Sequence, residues 1–207
     1  GALATVLALA LAWIRRRYAD RPTQWTIRLA ILGYAMPGAV LAVGVVIPIA
    51  WLDGWLLALA EPLGYSGYQL LKGTLAAMLL ALVARFLAVA FQSTDSAMQR
   101  VSRSQEEAAR SLGADTRSTV RRLYLPLLRP GLLAGFLLVF VDVLKEMPIT
   151  LMTRTFGWDT LAVRIFQLTS ESMWERAALP AAFVVLVGLL PVMLLVRHSE
   201  NMPVAPT

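Results

Sequence analysis

Asp142, Lys145 and Glu146 are three ionisable residues in an otherwise apolar stretch, and their i, i+3, i+4 spacing predicts one shared helix face. If that helix begins at Gly131, Asp142 lies about 16 Å along it and Glu146 about 22 Å. Charged groups at such a depth in an apolar helix are costly and turn toward a cavity or a partner. Pro148 should break the helix and free the carbonyl of Leu144. Carboxylates and bare carbonyls are hard oxygen donors, suited to guiding a hard cation along a path. A salt bridge from Lys145 that merely neutralises the cluster is the alternative, and the spacing leaves both open.

Other chemistry is poorly provided for. The chain has no cysteine and one histidine, His198, in its tail. This composition offers no dedicated zinc, haem or iron–sulfur site. It contains no phosphate-binding G-x-x-x-x-G-K-[ST] loop, no H-E-x-x-H and no G-x-S-x-G. The sequence therefore gives no sign of an enzyme active site, a metal centre or a cofactor. Energy for any work would have to come from a partner or an ion gradient.

The elements that position those charges are membrane spans. Of the 207 residues, 58% are hydrophobic and 15% charged, far from the balance of a soluble domain. Runs over Leu29–Leu52, Leu70–Phe91, Gly131–Leu151 and Ala177–Val196 are long enough to cross about 30 Å of hydrocarbon. A shorter run, Ala2–Ile14, precedes Arg15, Arg16 and Arg17, the reverse of the charge order in a signal peptide. It reads as the end of a span that begins upstream. The expected fold is all-α: a polytopic bundle of about five spans forming one membrane domain over residues 1–207, with a cytoplasmic loop at 93–126. Lysine and arginine concentrate in residues 15–28 and 100–129 and are absent from Asp53–Gln69, so the loop and the tail after Arg197 should face the cytoplasm. Asp53–Gln69 and Met152–Arg176 should face outward. This retention bias accounts for the net charge of +6, and no aromatic-interleaved basic stripe argues for nucleic acid.

The polar loop has its own grammar. Ser104 and Glu107 have capping-box spacing, which predicts a helix from about Gln105. Gly113 should end it in a left-handed conformation. Asp115 can cap a second helix through Arg121, Arg122 and Leu123, with Pro126 as its stop. Val101, Ala108 and Leu112 fall near one face, and small Ala108 and Ala109 permit close backbone approach. The whole is a helix-turn-helix elbow.

Glu107-Ala108-Ala109, three residues, Gly113, nine residues and Leu123-x-Leu125-Pro126 together resemble the cytoplasmic EAA signature of binding-protein-dependent ABC importer permeases. Leu123 departs from the more usual isoleucine and keeps an apolar contact. Pro126 to Gly135, with Lys145-Glu146-Met147-Pro148-Ile149-Thr150, resembles the ferric-iron and thiamine branch, and the run from Phe156 to Arg164 resembles its iron members. The likeness extends from Ile31 to Arg197 and is that of a C-terminal permease half. It implies an inner-membrane subunit that is not itself an enzyme. Its partners would be a separate ATPase subunit, an extracytoplasmic substrate-binding protein, a second permease half or copy, and membrane lipid. Glu107, Ala108, Ala109, Gly113, Leu123, Leu125 and Pro126 would make the coupling surface for the ATPase. Asp142, Lys145, Glu146 and Pro148 are the translocation-path candidates. A secondary transporter using the three charges as an ion relay is the alternative, and it leaves the elbow's spacing unexplained.

Smaller features complete the expectations. Arg85 either snorkels to the cytoplasmic interface or pairs with Asp142 at similar depth. Gly131 and Gly135 form a small-x-x-x-small packing pair. Pro37 and Pro48 interrupt the second span beside Tyr34 and Met36, which makes either a kinked packing helix or a path-lining break. Asp159–Ser170 should hold a short surface helix through Leu161, Ile165 and Leu168, near where a binding protein would dock, with Asp159, Glu171 and Glu175 as candidate contacts.

Overall fold

The structure is a computed structural model that describes residues 1–18, 20–64, 67 and 69–200. Every regular element among them is helical: α1 Ala2–Arg17, α2 Arg21–Ala30, α3 Gly38–Ala60, α4 Leu75–Gln99, α5 Arg103–Ser111, α6 Thr116–Thr119, α7 Leu125–Leu144, α8 Pro148–Thr153, α9 Leu161–Ser170 and α10 Trp174–Glu200. Four helical stretches are long and apolar enough to cross a membrane, namely Gly38–Ala60, Leu75–Gln99, Thr116–Leu144 and Trp174–Leu194. The fifth expected span corresponds to α1, whose 16 residues fall short of that length. The tail beyond Glu200 and the side chain of His198 lie outside what the structure describes.

The boundaries differ from the apolar runs for identifiable reasons. Leu29–Leu52 is divided, because Pro37 takes an extended conformation and a 3-10 turn at Leu32–Ala35 separates α2 from α3. Pro48 stays inside α3, which runs on to Ala60. Asp53 is therefore a helical residue and not the start of an external loop. It is 4% exposed, and its carboxylate accepts the backbone N–H groups of Leu70, Leu71 and Lys72 at 2.7–2.9 Å. That clasp leads into a turn at Gly73 (φ +70°), where Thr74 caps the start of α4. At the other end α4 continues past Phe91 to Gln99, where Asp95 is held by Arg15 and Gln99, each at 2.7 Å.

The chain forms two compact units. The first comprises residues 1–32 and 86–140. Ala4, Ala8 and Ala12 put a buried small-residue stripe along α1. Gly131 and Gly135 let α7 lie directly on α4: a methyl at Gly131 would stand 2.4 Å from the Ala97 Cβ, and one at Gly135 would stand 3.3 Å from the Ala90 carbonyl. The expected packing role of the pair is met. The second unit comprises residues 33–85 and the chain from Val141 onward. In it α3 packs on α8, and α9 on α10. The expected surface helix is α9, capped by Thr160, with Val163 and Leu168 buried and Leu161 exposed. Before it, the Arg154–Asp159 ion pair spans a turn that leaves Phe156 fully exposed.

Candidate functional site

The elbow lies wholly within the first unit. Its capping box is Ser102 with Gln105 rather than Ser104 with Glu107: Ser102 Oγ accepts the Gln105 N–H at 3.2 Å, and Gln105 Oε1 accepts the Ser102 N–H at 3.1 Å. The cause is local. The turn closing α4 buries Val101 and leaves Ser102 extended, which is the conformation a cap requires. Ser104 then lies inside α5, and Glu107 is released from capping and exposed.

Gly113 ends α5 as expected, at φ +79°. The Gly113 N–H reaches the Arg110 carbonyl at 2.9 Å and the Ala114 N–H reaches that of Ala109 at 3.0 Å, the paired bonds of a Schellman turn. Asp115 caps the next helix through the Ser118 N–H at 2.9 Å, again as expected. Pro126, however, stops nothing. Residues Thr116–Leu144 form one continuous rod through a π-helical turn at Val120–Tyr124, where the Leu125 N–H bonds to the Val120 carbonyl. The wider turn relieves the clash that a proline ring makes with the carbonyl four residues back. The second arm of the elbow thus continues directly into a span.

Glu106 ties this arrangement together. One of its oxygens takes Arg110 Nη2 at 2.7 Å, the other accepts the Tyr124 hydroxyl at 2.8 Å, and Arg16 Nη2 stands 3.5 Å away. The Tyr124 hydrogen bond, aided by Arg110 and Arg16, holds the Glu106 carboxyl below the usual carboxylate range against the opposing effect of its partial burial. Trp13 packs edge-on against Tyr124 at 5.0 Å between centroids. Sequence reasoning passed over Glu106 and Tyr124. Only the i, i+4 relation of Glu106 to Arg110 hinted at the first.

At about 100° per residue, Glu106 and Ala108 lie about 200° apart around α5. Glu106 turns toward α1 and Tyr124, while Ala108 and Leu112 face out, Leu112 being 88% exposed. Val101 does not join them, because it is buried before the helix starts. Of the remaining signature residues, Ala109 and Leu123 are half-buried, and Leu125 and Pro126 are exposed.

Asp142, Lys145 and Glu146 lie in the second unit, and the structure separates the expected trio. α7 ends at Leu144, so Lys145 and Glu146 leave the helix that carries Asp142. Lys145 turns outward, its side chain 69% exposed, and meets Asp142 at 2.9 Å. Glu146 turns inward to 7% exposure and meets Arg85 Nε at 3.3 Å. The partner of Arg85 is thus neither Asp142 nor the interface. Arg85 also donates to the Met36 carbonyl at 2.6 Å, and Glu146 accepts the Ile149 N–H at 3.0 Å, capping α8 where Pro148 takes its first position. Gly38 lies against both groups: a Cβ there would stand 3.1 Å from Glu146 Oε1 and 3.5 Å from the Arg85 guanidinium carbon. One ion pair therefore fastens two helix breaks, at Met36–Pro37 and at Lys145–Met147. Tyr34 and Met36 are exposed beside the first. Among the described residues, no three histidine, aspartate or glutamate side chains gather as a metal site would require.

Comparison with known proteins agrees with this architecture. The family described as binding-protein-dependent transport system inner membrane component matches residues 4–201. An Fe(3+)-transport system permease protein of Haemophilus influenzae is 31% identical over 96% of this chain and 37% of its own length. A Salmonella typhimurium protein named as a 2-aminoethylphosphonate transport system permease is 27% identical over 90% of the chain and 65% of its own length. A Haloferax volcanii protein named as a molybdenum ABC transporter permease is 32% identical over 84% and 65%. The chain therefore spans between about a third and two thirds of these relatives. With apolar helices in this number, an elbow of this form and a family match across nearly its whole length, the chain belongs to the binding-protein-dependent transport system inner membrane components and is a multi-pass inner-membrane protein.

Proposed function

We propose that this chain is the membrane-spanning permease part of an ATP-driven importer, in which the elbow receives the stroke of a separate ATPase subunit and passes it to the spans. The observation that carries the reading is the form of the elbow. Ala108 and Leu112 stand outward beside the Gly113 turn, while the opposite face of α5 is bound through Glu106 to Tyr124, a residue of the same rod that becomes a span. A push on the outer face would reach the rod without slack. Glu107, Ala108, Ala109, Gly113, Leu123, Leu125 and Pro126 form the coupling surface in this proposal, and the elbow faces the cytoplasm.

The substrate of the intact transporter is proposed to be ferric iron, delivered by an extracytoplasmic binding protein. Support comes from two Haemophilus influenzae relatives named as ferric permeases, although others are named for phosphonate, sulfate and molybdenum. Asp142, Lys145, Glu146 and Pro148 are proposed to stand along its path, Glu146 through its pair with Arg85. The test is ATP hydrolysis by the intact permease and its ATPase in liposomes, with and without ferric-loaded binding protein, for wild type and Gly113→Asp. Stimulation in wild type that falls at least tenfold in the variant supports coupling through the elbow. Hydrolysis indifferent to the loaded protein removes the ferric substrate, and failure of the ATPase to associate removes the importer.

A further inference from the structure

We propose that the cleft between the C-terminal end of α1 and the inner face of α5 is a binding site for a phosphate-bearing anion, supplied in the membrane by the headgroup of an acidic phospholipid. The cleft has a volume of about 490 Å³ and lies entirely within the first unit. Arg15, Arg16, Arg17, Arg103 and Arg110 line it, with Glu106 and Glu107 as its carboxylates. Five guanidinium groups thus face two carboxylates. Arg15 is balanced by Asp95, and Arg110 and Arg16 share Glu106. Arg17 and Arg103 line the cleft with no carboxylate partner among the described residues. Arg16 is already engaged: its Nη1 donates to the Met98 carbonyl at 3.0 Å, its guanidinium lies over the Tyr124 ring at 5.2 Å, and its Nη2 stands 3.5 Å from Glu106. Arg17 and Arg103, in a cleft whose cations outnumber its carboxylates, offer an oxyanion the paired hydrogen bonds through which guanidinium groups grip phosphate.

The level of the cleft favours a lipid source. Arg15, Arg16 and Arg17 directly follow the apolar Ala2–Ile14 segment, and Trp13, another wall residue, belongs to the type enriched at membrane interfaces. Headgroup phosphates occupy that depth, and basic pockets on the cytoplasmic side of membrane helices attract anionic lipids. The cleft opens on the Glu106 side of α5, about 200° from Ala108. A subunit docked on Ala108 and Leu112 would meet the cleft only at its Glu107 edge, and a bound headgroup would touch the element proposed to receive the ATPase stroke.

From the functional reading the proposal borrows only the cytoplasmic placement of α5, which labelling of Ser104→Cys tests separately, since the chain has no native cysteine. The intact permease in neutral detergent would be offered equal phosphatidylglycerol and phosphatidylcholine, and retained lipid counted by native mass spectrometry. Wild type should retain phosphatidylglycerol in preference. Arg17→Gln/Arg103→Gln should lose that preference about tenfold, while Arg164→Gln, on α9, keeps it. Thermal midpoints equal to that of wild type are expected for both variants, and would show that any lost retention is not lost folding. No lipid preference in wild type, or one that survives the double variant, overturns the proposal. Inorganic phosphate binding without a lipid preference overturns the lipid source. Abolition of retention by the bound ATPase subunit shows that an acidic protein segment fills the cleft, and also overturns it.

Discussion

Replacing Glu146 by glutamine keeps an amide oxygen for the Ile149 N–H but removes the negative charge that faces Arg85. The pair is enclosed, with side-chain exposures of 7% for Glu146 and 19% for Arg85. Breaking a buried pair from one side costs about 3–5 kcal/mol, because the surviving charge is left uncompensated. Arg85 retains the Met36 carbonyl, so the lower part of that range, about 3 kcal/mol, is expected for Glu146→Gln. The same chemical change at Asp142, whose partner Lys145 is mostly exposed, should cost at most about 1 kcal/mol. Thermal unfolding of the intact permease in detergent, followed by tryptophan fluorescence, ranks the two variants. Arg85→Met/Glu146→Gln should be more stable than Glu146→Gln alone, since no charge is then stranded. Equal losses at 142 and 146, or a double variant with simply additive losses, would refute the claim that this pair fastens the two helix breaks.

Tyr124→Phe deletes the hydroxyl that donates to Glu106, a hydrogen bond to a charged group worth about 1.5–3 kcal/mol. Because the folded Glu106 carboxyl titrates below its unfolded value of 4.5, its stabilisation is complete above that pH and disappears as pH falls through the lower folded value. As pH falls below about 4.5, unfolding midpoints should therefore fall less steeply in Tyr124→Phe than in wild type. Gly131→Ala forces a methyl to within 2.4 Å of the Ala97 Cβ and 3.0 Å of the Ser93 carbonyl, for an expected loss of about 1–3 kcal/mol. Gly44→Ala, with open space around it, should be tolerated in the same melting experiment.

Much of the elbow was legible because its determinants are local. A glycine that must adopt positive φ and an aspartate before a helix act over three or four residues, and each lies where its spacing places it. The capping box failed by two positions because two serines compete. The choice between them depends on the burial of Val101, which a window around Ser104 does not contain. Pro126 misled because a π turn upstream absorbs it. The ion pairs were the least legible part. Arg85 and Glu146 are separated by 61 positions, and the end of α7 decides which way Glu146 turns. Likewise, nothing around Asp53 announces that three backbone N–H groups return to it from Leu70–Lys72.

The π turn at Val120–Tyr124 also sets a phase. Bonding five residues back instead of four takes up one extra residue in the rod, so every side chain before the turn is rotated by about 100° relative to an uninterrupted α-helix. Tyr124, at the end of the turn, points to Glu106, and Leu128, Gly135 and Val139 stay buried along the span. The turn works as an indexing joint between the elbow and the rod. Its length, more than its composition, fixes the angle between the side chains of the elbow's second arm and those of the span. Conservative substitutions within Val120–Tyr124 should leave that angle intact, whereas deleting a single residue there would re-aim the elbow without unfolding the membrane helix.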